Sequence, residues 1–308
     1  MREFVVRFLL GLLGRLSGDT AGRLGAGLGL LAGALGIRRR VVDGNLARFG
    51  LRGPARRAVR RQSYATIGAN FIELWTVGGV NGPEHGVVMM NPRWLEQVRR
   101  REPGCVLVSP HLGSWEMAVG GVGPRIGGVQ VYAKPLHDPV IDELTNAQRM
   151  KLDCSVLLTD RNAAVQALRR LRAGRCLGLL ADQRPADHEA EPAYFLGQAT
   201  NCHRGPGFFA TRAKVPLVPA FCLRTGAGRY HVFVGRPWHP TAADDATQVA
   251  MDWLSAMVAA YPGQYFWHHK RFAGKTPDLP PRTCEPWRER GLRLLVELPG
   301  QAPPPPAP

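Results

Sequence analysis

The stretch CVLVSPHLGSWEMAVGG, residues 105–121, decides how this chain is read. Cys105 to Ser109 form an apolar, β-leaning run, and Pro110 ends it. Gly113 permits a sharp turn, Ser114 suits a helix N-cap, and Glu116 then falls in the first turn of a helix. A short buried strand running through a turn into a helix is the repeating unit of a parallel sheet. Open sheets of this kind place ligands at the carboxyl ends of their strands, where His111 and Glu116 fall.

Working outward, the same grammar repeats. Further apolar runs occur at 129–133, 155–158, 176–181, 217–223 and 230–234, with helical patterns at 138–151, 162–173 and 205–214 between several of them. Another helix is expected at 244–260. The expected fold class is α/β, with a mixed, largely parallel sheet flanked by helices. The region from Val41 to Val80 reads as helical and arginine-rich, and the loop ADHEAEPA at 186–193 is acidic.

The N-terminus, FVVRFLLGLLGRLSGDTAGRLGAGLGLLAGALGI, is apolar but interrupted by Arg7, Arg15, Asp19 and Arg23. Its longest charge-free run, Leu24 to Ile37, has 14 residues, short of the roughly 20 that a spanning helix needs. It reads as a helix that dips into one leaflet, with a single pass left open. Glycines at 14, 18 and 22, and again at 25, 29 and 33, suit close packing against a neighbouring helix. IRRR at 37–40 places cations beside the apolar segment, as on the cytoplasmic side of a membrane. Three units follow: a membrane-associating helix at 1–37, an α/β domain at 38–298, and a disordered Pro-rich tail at 299–308.

The 40 basic and 24 acidic residues give a formal net charge of +16, and only five of the basic residues are lysine. Arginine grips phosphate with a planar fork, so the charge favours an anionic partner: nucleic acid, an anionic membrane or a phosphorylated substrate. The six cysteines form no C-x-x-C pair, and most sit in apolar runs, which points to a reducing compartment without disulfides. Asp182, Asp187 and His188 read as a polar loop rather than metal ligands, and no metal or cofactor is expected.

His111 and Glu116 would point about 140° apart if both lay mid-helix. They converge only with His111 in the turn and Glu116 in the helix's first turn. A carboxylate on one ring nitrogen fixes the tautomer and raises the basicity of the other, which makes a general base for an alcohol. Ser114 as a nucleophile has little support without a G-x-S-x-G elbow, and no P-loop or complete G-x-G-x-x-G is present.

VSPHLGSWE resembles the H-x4-D/E block of the lysophospholipid acyltransferase superfamily and, more narrowly, of the lipid A late acyltransferases. Further blocks agree in order: RRRVVDGNLARFG at 38–50, VYAKPLHDPVIDELTNAQR at 131–149, GLLADQRP at 178–185, YFLGQATNCHRGPGFFATRAKVPLVPAFCLR at 194–224, and QYFWHHKRF at 264–272. The resemblance implies a glycerol-3-phosphate acyltransferase-like fold at the cytoplasmic face of the inner membrane. It also implies transfer of an acyl chain from acyl carrier protein to a hydroxyl of an anionic glycolipid, with no nucleic-acid partner. His111 is then the general base and Glu116 its partner. Arg149 is either an oxyanion donor, a phosphate ligand or a surface cation. Asp182 and Gln183 close a strand near the site, and Arg184 and Arg204 are candidates to hold phosphate. Lys134, with Pro135, reaches in from the next strand end. Phe195, Phe208 and Phe209 line an acyl channel or simply pack the core. Ser114 stands where many members carry Asn, and related enzymes acylate mannosylated phosphatidylinositol, so the acceptor stays open. The contrasting reading is a basic nucleic-acid or anionic-surface binder without catalysis, or an inactive relative kept as a scaffold.

Overall fold

The structure is a computed structural model, and it describes residues 1–79, 81–158, 162–241 and 245–280. The tail at 299–308, the end of the domain at 298, and Cys284 lie outside the described residues. Ten α-helices and nine strands are described: α1 (Arg2–Leu13), α2 (Gly18–Ala34), α3 (Arg39–Arg48), α4 (Gly53–Glu73), β1 (Val87–Met89), α5 (Pro92–Arg101), β2 (Cys105–Ser109), α6 (Trp115–Ile126), β3 (Val129–Ala133), α7 (Pro139–Met150), β4 (Cys154–Leu158), α8 (Ala163–Arg172), β5 (Cys176–Leu180), β6 (Ala190–Phe195), β7 (Gln198–His203), α9 (Gly205–Ala213), β8 (Leu217–Gly226), β9 (Arg229–Val234) and α10 (Ala246–Ala260).

Seven strands form one sheet in the order β1-β9-β8-β2-β5-β3-β4, parallel throughout except for the β8–β9 pair. The expected class is therefore observed, and the apolar runs of the sequence are its strands. β2 alternates between two buried layers. Val106 and Val108 pack with Leu254 and Met257 of α10, and Cys105 and Leu107 pack with Met117 and Val122 of α6. Alternate side chains of one strand thus feed opposite faces, which is why the strand reads as continuously apolar. Five cysteines are free and buried.

Two details depart from expectation. The acidic stretch 186–193 is not all loop: its second half enters β6, which pairs with β7 in a separate hairpin. The N-terminal segment is also two helices, α1 and α2, rather than one. Among the described residues no single helix is long and apolar enough to cross a membrane, and α2 passes that test only together with α3, across a 90° bend.

The spaced glycines of α2 do pack closely, and their partner is α4 of the same chain. A Cβ on Gly25 would stand 2.4 Å from the Gly68 carbonyl oxygen, and one on Gly29 would stand 2.0 Å from that of Tyr64. With glycines facing inward, α2 turns Leu24, Leu28 and Leu31 to solvent, and Leu35 at its C-cap is exposed with them. α1 exposes Phe4, Phe8, Leu9 and Leu12 and buries none of its residues. An exposed apolar face on two consecutive helices is the reverse of a soluble amphipathic helix.

Candidate active site

Beyond β2 the chain turns at Pro110–Ser114. Gly113 has φ +60 and lies so close to β8 that a Cβ there would stand 1.8 Å from the Cys222 carbonyl oxygen. Only glycine fits both the dihedral and the space. Ser114 occupies the N-cap position of α6, although its side chain makes no capping bond. The segment 264–267 clamps the turn from outside: Gly113 N donates to Gln264 O (3.0 Å), and Phe266 N donates to His111 O (3.0 Å). The imidazole is held in place between the rings of Trp115 (5.2 Å) and Phe266 (6.1 Å).

The carboxylate bonded to His111 is Asp182, which follows the neighbouring strand β5. Its Oδ1 lies 2.8 Å from His111 Nδ1 and accepts the His111 backbone N–H at 3.1 Å. Burial alone would raise the Asp182 pKa. The facing His111, its hydrogen bond and Tyr265 outweigh burial and hold the carboxyl below its ordinary value. Tyr265 itself is held well above the usual phenol range by burial, so it stays protonated beside Asp182. An ionised Asp182 accepts a hydrogen bond from Nδ1–H, which leaves Nε2 as the ring's acceptor.

Glu116 is not that partner, contrary to the expectation from the sequence. Its carboxylate accepts two bonds from Arg149 Nε (3.1 and 3.2 Å) and one from Nη2 (2.7 Å). Arg149 Nη1 donates to Asn146 (3.3 Å). Glu116 lies in the first turn of α6, but it faces α7 rather than the histidine. Burial would lower the Arg149 pKa, and the Glu116 charge more than offsets this. All three guanidinium nitrogens of Arg149 are engaged within the protein.

The remaining expected residues surround the strand ends without contacting His111. Gln183 is half-buried directly after Asp182, and Arg184, Lys134 and Arg204 are exposed on the loops after β5, β3 and β7. Phe195 and Phe209 belong to the buried core, whereas Phe208 is partly exposed.

The description of the bacterial lipid A biosynthesis acyltransferases matches residues 2–274. The chain belongs to that family. It is similar to the lipid A biosynthesis lauroyltransferase of Escherichia coli (strain K12), 26% identical over 283 residues that cover 84% of this chain and 87% of that one. It is also similar to the phosphatidylinositol mannoside acyltransferases of Mycolicibacterium smegmatis and Mycobacterium tuberculosis. The first is 29% identical over 172 residues, 54% of this chain and 55% of the relative. The second is 27% identical over 169 residues, 54% and 52%. The protein is thus an acyltransferase acting on lipid-like substrates.

The lipid A acyltransferase sequence pattern now acquires physical reasons. Asn45, within the 38–50 block, donates to Trp267 O (2.7 Å) and His269 O (2.8 Å). Ser63 donates to Tyr265 O (2.7 Å). α3 and α4 therefore hold the 264–272 block, which holds the His111 turn. Asn70 bonds both the Gly113 carbonyl and Arg224, and Arg224 forms a buried ion pair with Glu73. Burial acts to lower the Arg224 pKa, but the bonds to Glu73 dominate and raise it. Composition does not disclose this network, because its members lie far apart in sequence. The same holds for Tyr265, and for His203 and His269, both within electrostatic reach of Asp182.

This acyltransferase also has a largely apolar cavity of about 470 Å³, bounded by Pro110, Phe221, Phe233, Trp253, Leu254 and Met257. Pro110 immediately precedes the histidine, so the cavity begins at the strand end that carries the site.

Proposed function

We propose that the protein moves a fatty acyl chain from acyl carrier protein to a hydroxyl of an anionic glycolipid of the lipid A type, at the cytoplasmic face of the inner membrane. The observation that carries this reading is the bond from Asp182 to His111 Nδ1, which presents Nε2 as a base at the mouth of a parallel sheet. The acceptor O–H gives its proton to Nε2 as its oxygen attacks the thioester carbonyl. The tetrahedral intermediate collapses with loss of the thiolate, which takes the proton back from the imidazolium. The products are an ester and a thiol, and Asp182 holds the imidazolium while it exists.

A thioester is already activated, so this route uses no covalent enzyme intermediate. Exposed Lys134, Arg184 and Arg204 supply positive charge around the strand ends for the oxyanion or for acceptor phosphates. The Glu116–Arg149 pair ties α6 to α7 and fixes the helix that starts beneath the histidine. The cavity beside Pro110 has the volume and lining for an acyl chain. The leucine face of α2 and the phenylalanine face of α1 suit contact with a bilayer.

The test is transfer of radiolabelled acyl chains from acyl carrier protein to a lipid A precursor in mixed micelles. His111→Ala is expected to abolish transfer with an unchanged circular dichroism melt. Wild-type turnover in that variant would remove His111 from the mechanism.

A further inference from the structure

Where α2, α3 and α4 meet, a cleft of about 440 Å³ is lined by Gly33, Arg39, Arg57, Arg60, Arg61 and Tyr64. Four guanidinium groups converge on it with one carboxylate, Asp43. Arg60 lies 2.7 Å from Asp43, and Arg39 also reaches it at 3.6 Å. Arg57 and Arg61 have no acidic partner among the described residues. The local charge balance is positive, and the residual donors are planar forks matched to a phosphate.

The floor of the cleft is built rather than accidental. Gly33 presents bare backbone to Tyr64, and a Cβ there would stand 3.0 Å from the ring. Leu30 and Ala34 of the same helix supply the apolar part of the lining, and Leu24, Leu28 and Leu31, with Leu35 at the C-cap, are exposed. A phosphate among the arginines and acyl chains along the leucines describe one molecule: an anionic lipid lying in the leaflet. The cleft is walled off from the catalytic histidine. Tyr64 packs on His268 (4.4 Å), His268 on Phe266 (5.3 Å), and Phe266 on His111 (6.1 Å). A phosphate held among these arginines therefore lies three ring contacts away from His111 and is not the group that meets Nε2.

We propose that this cleft binds the phosphate of an anionic bilayer phospholipid and so seats the enzyme on the membrane. The proposal rests on the bilayer contact inferred for α1 and α2. The experiment is co-sedimentation of the full chain with phosphatidylcholine vesicles, with and without phosphatidylglycerol, at fixed ionic strength. Arg57→Gln/Arg61→Gln is expected to lower partition onto the anionic vesicles by about tenfold or more and leave partition onto neutral ones unchanged. Arg169→Gln/Arg170→Gln, on the exposed side of α8, removes the same charge and is expected to change either by less than about twofold. Equal losses from the two double variants would overturn the cleft as a site, leaving only diffuse charge. Binding of inorganic phosphate, by calorimetry, as tight as that of the lipid would overturn the lipid assignment. Failure to bind either vesicle would overturn the bilayer contact and the cleft proposal together.

Discussion

His111 and Asp182 each stand two residues beyond the paired strand ends Ser109 and Leu180, and this equal offset brings Asp182 Oδ1 to 2.8 Å from His111 Nδ1. The pairing is set by the register of two parallel strands, so it is as rigid as the sheet. Asp182→Asn keeps the shape but loses the charge that steadies the imidazolium and selects its tautomer. Transfer is expected to fall by about a hundredfold or more. Glu116→Gln is expected to leave transfer within about tenfold of wild type and to cost about 1–3 kcal/mol of stability, through the unpaired Arg149. Transfer that falls a hundredfold with Glu116→Gln and survives Asp182→Asn would reverse the assignment.

Gly113 is the hinge on which that geometry turns. Gly113→Ala meets both a left-handed φ of +60 and a Cβ 1.8 Å from the Cys222 carbonyl. The dihedral alone costs about 1–3 kcal/mol, and the steric conflict adds to it. A urea denaturation midpoint well below wild type is expected, with transfer lost in the protein that remains folded. An unchanged midpoint would mean that the turn is looser than its contacts with β8 indicate.

The parts of this arrangement that the sequence discloses are local. The run 105–109, the breaker Pro110 and the start of α6 are nearest-neighbour features, and the strand and helix appear where the pattern puts them. The resemblance brought Asp182 to the end of its strand. That it bonds His111 depends on which strands are adjacent, and no spacing within 111–116 carries that information. Proximity in sequence favoured Glu116, and the helix instead turns it toward Arg149. The glycine spacing of α2 was legible because four-residue periodicity has one geometric meaning. Strand β1, only three residues long, and the β6–β7 hairpin were not, because so short or so polar a strand leaves little apolar alternation to read.

Acid should loosen the clamp around the site before it denatures the sheet. Burial lowers the His268 pKa to about 4, with Arg38 adding to it. Burial also lowers His269 to about 4, with Asp182 opposing. Each histidine binds fewer protons folded than unfolded between about pH 4 and its ordinary 6.5. Stability therefore rises with pH across that window, is fully present above about 6.5, and is lost as pH falls toward 4. With partial exposure discounted, each contributes on the order of 1 kcal/mol. His268→Phe is expected to flatten the fall in melting temperature between pH 7 and pH 5. A fall as steep as wild type would exclude His268 as its source.

The seam between α2 and α4 separates two glycines that look alike in the sequence. Gly27 is exposed with nothing within 4 Å of its would-be Cβ, whereas Gly29 faces the Tyr64 carbonyl at 2.0 Å. Gly27→Ala removes only the conformational cost of glycine in a helix and is expected to stabilise by about 0.5–1 kcal/mol. Gly29→Ala must push the helices apart. Because α4 carries Ser63 and Asn70, which hold the 264–272 block and the Gly113 carbonyl, the displacement reaches the histidine turn. Gly29→Ala is therefore expected to lower both the melting temperature and the transfer rate, although it is remote from the chemistry. The two variants should move the melting temperature in opposite directions. If both raise it, α2 is not seated on α4 through its glycines, and its leucines need not face outward.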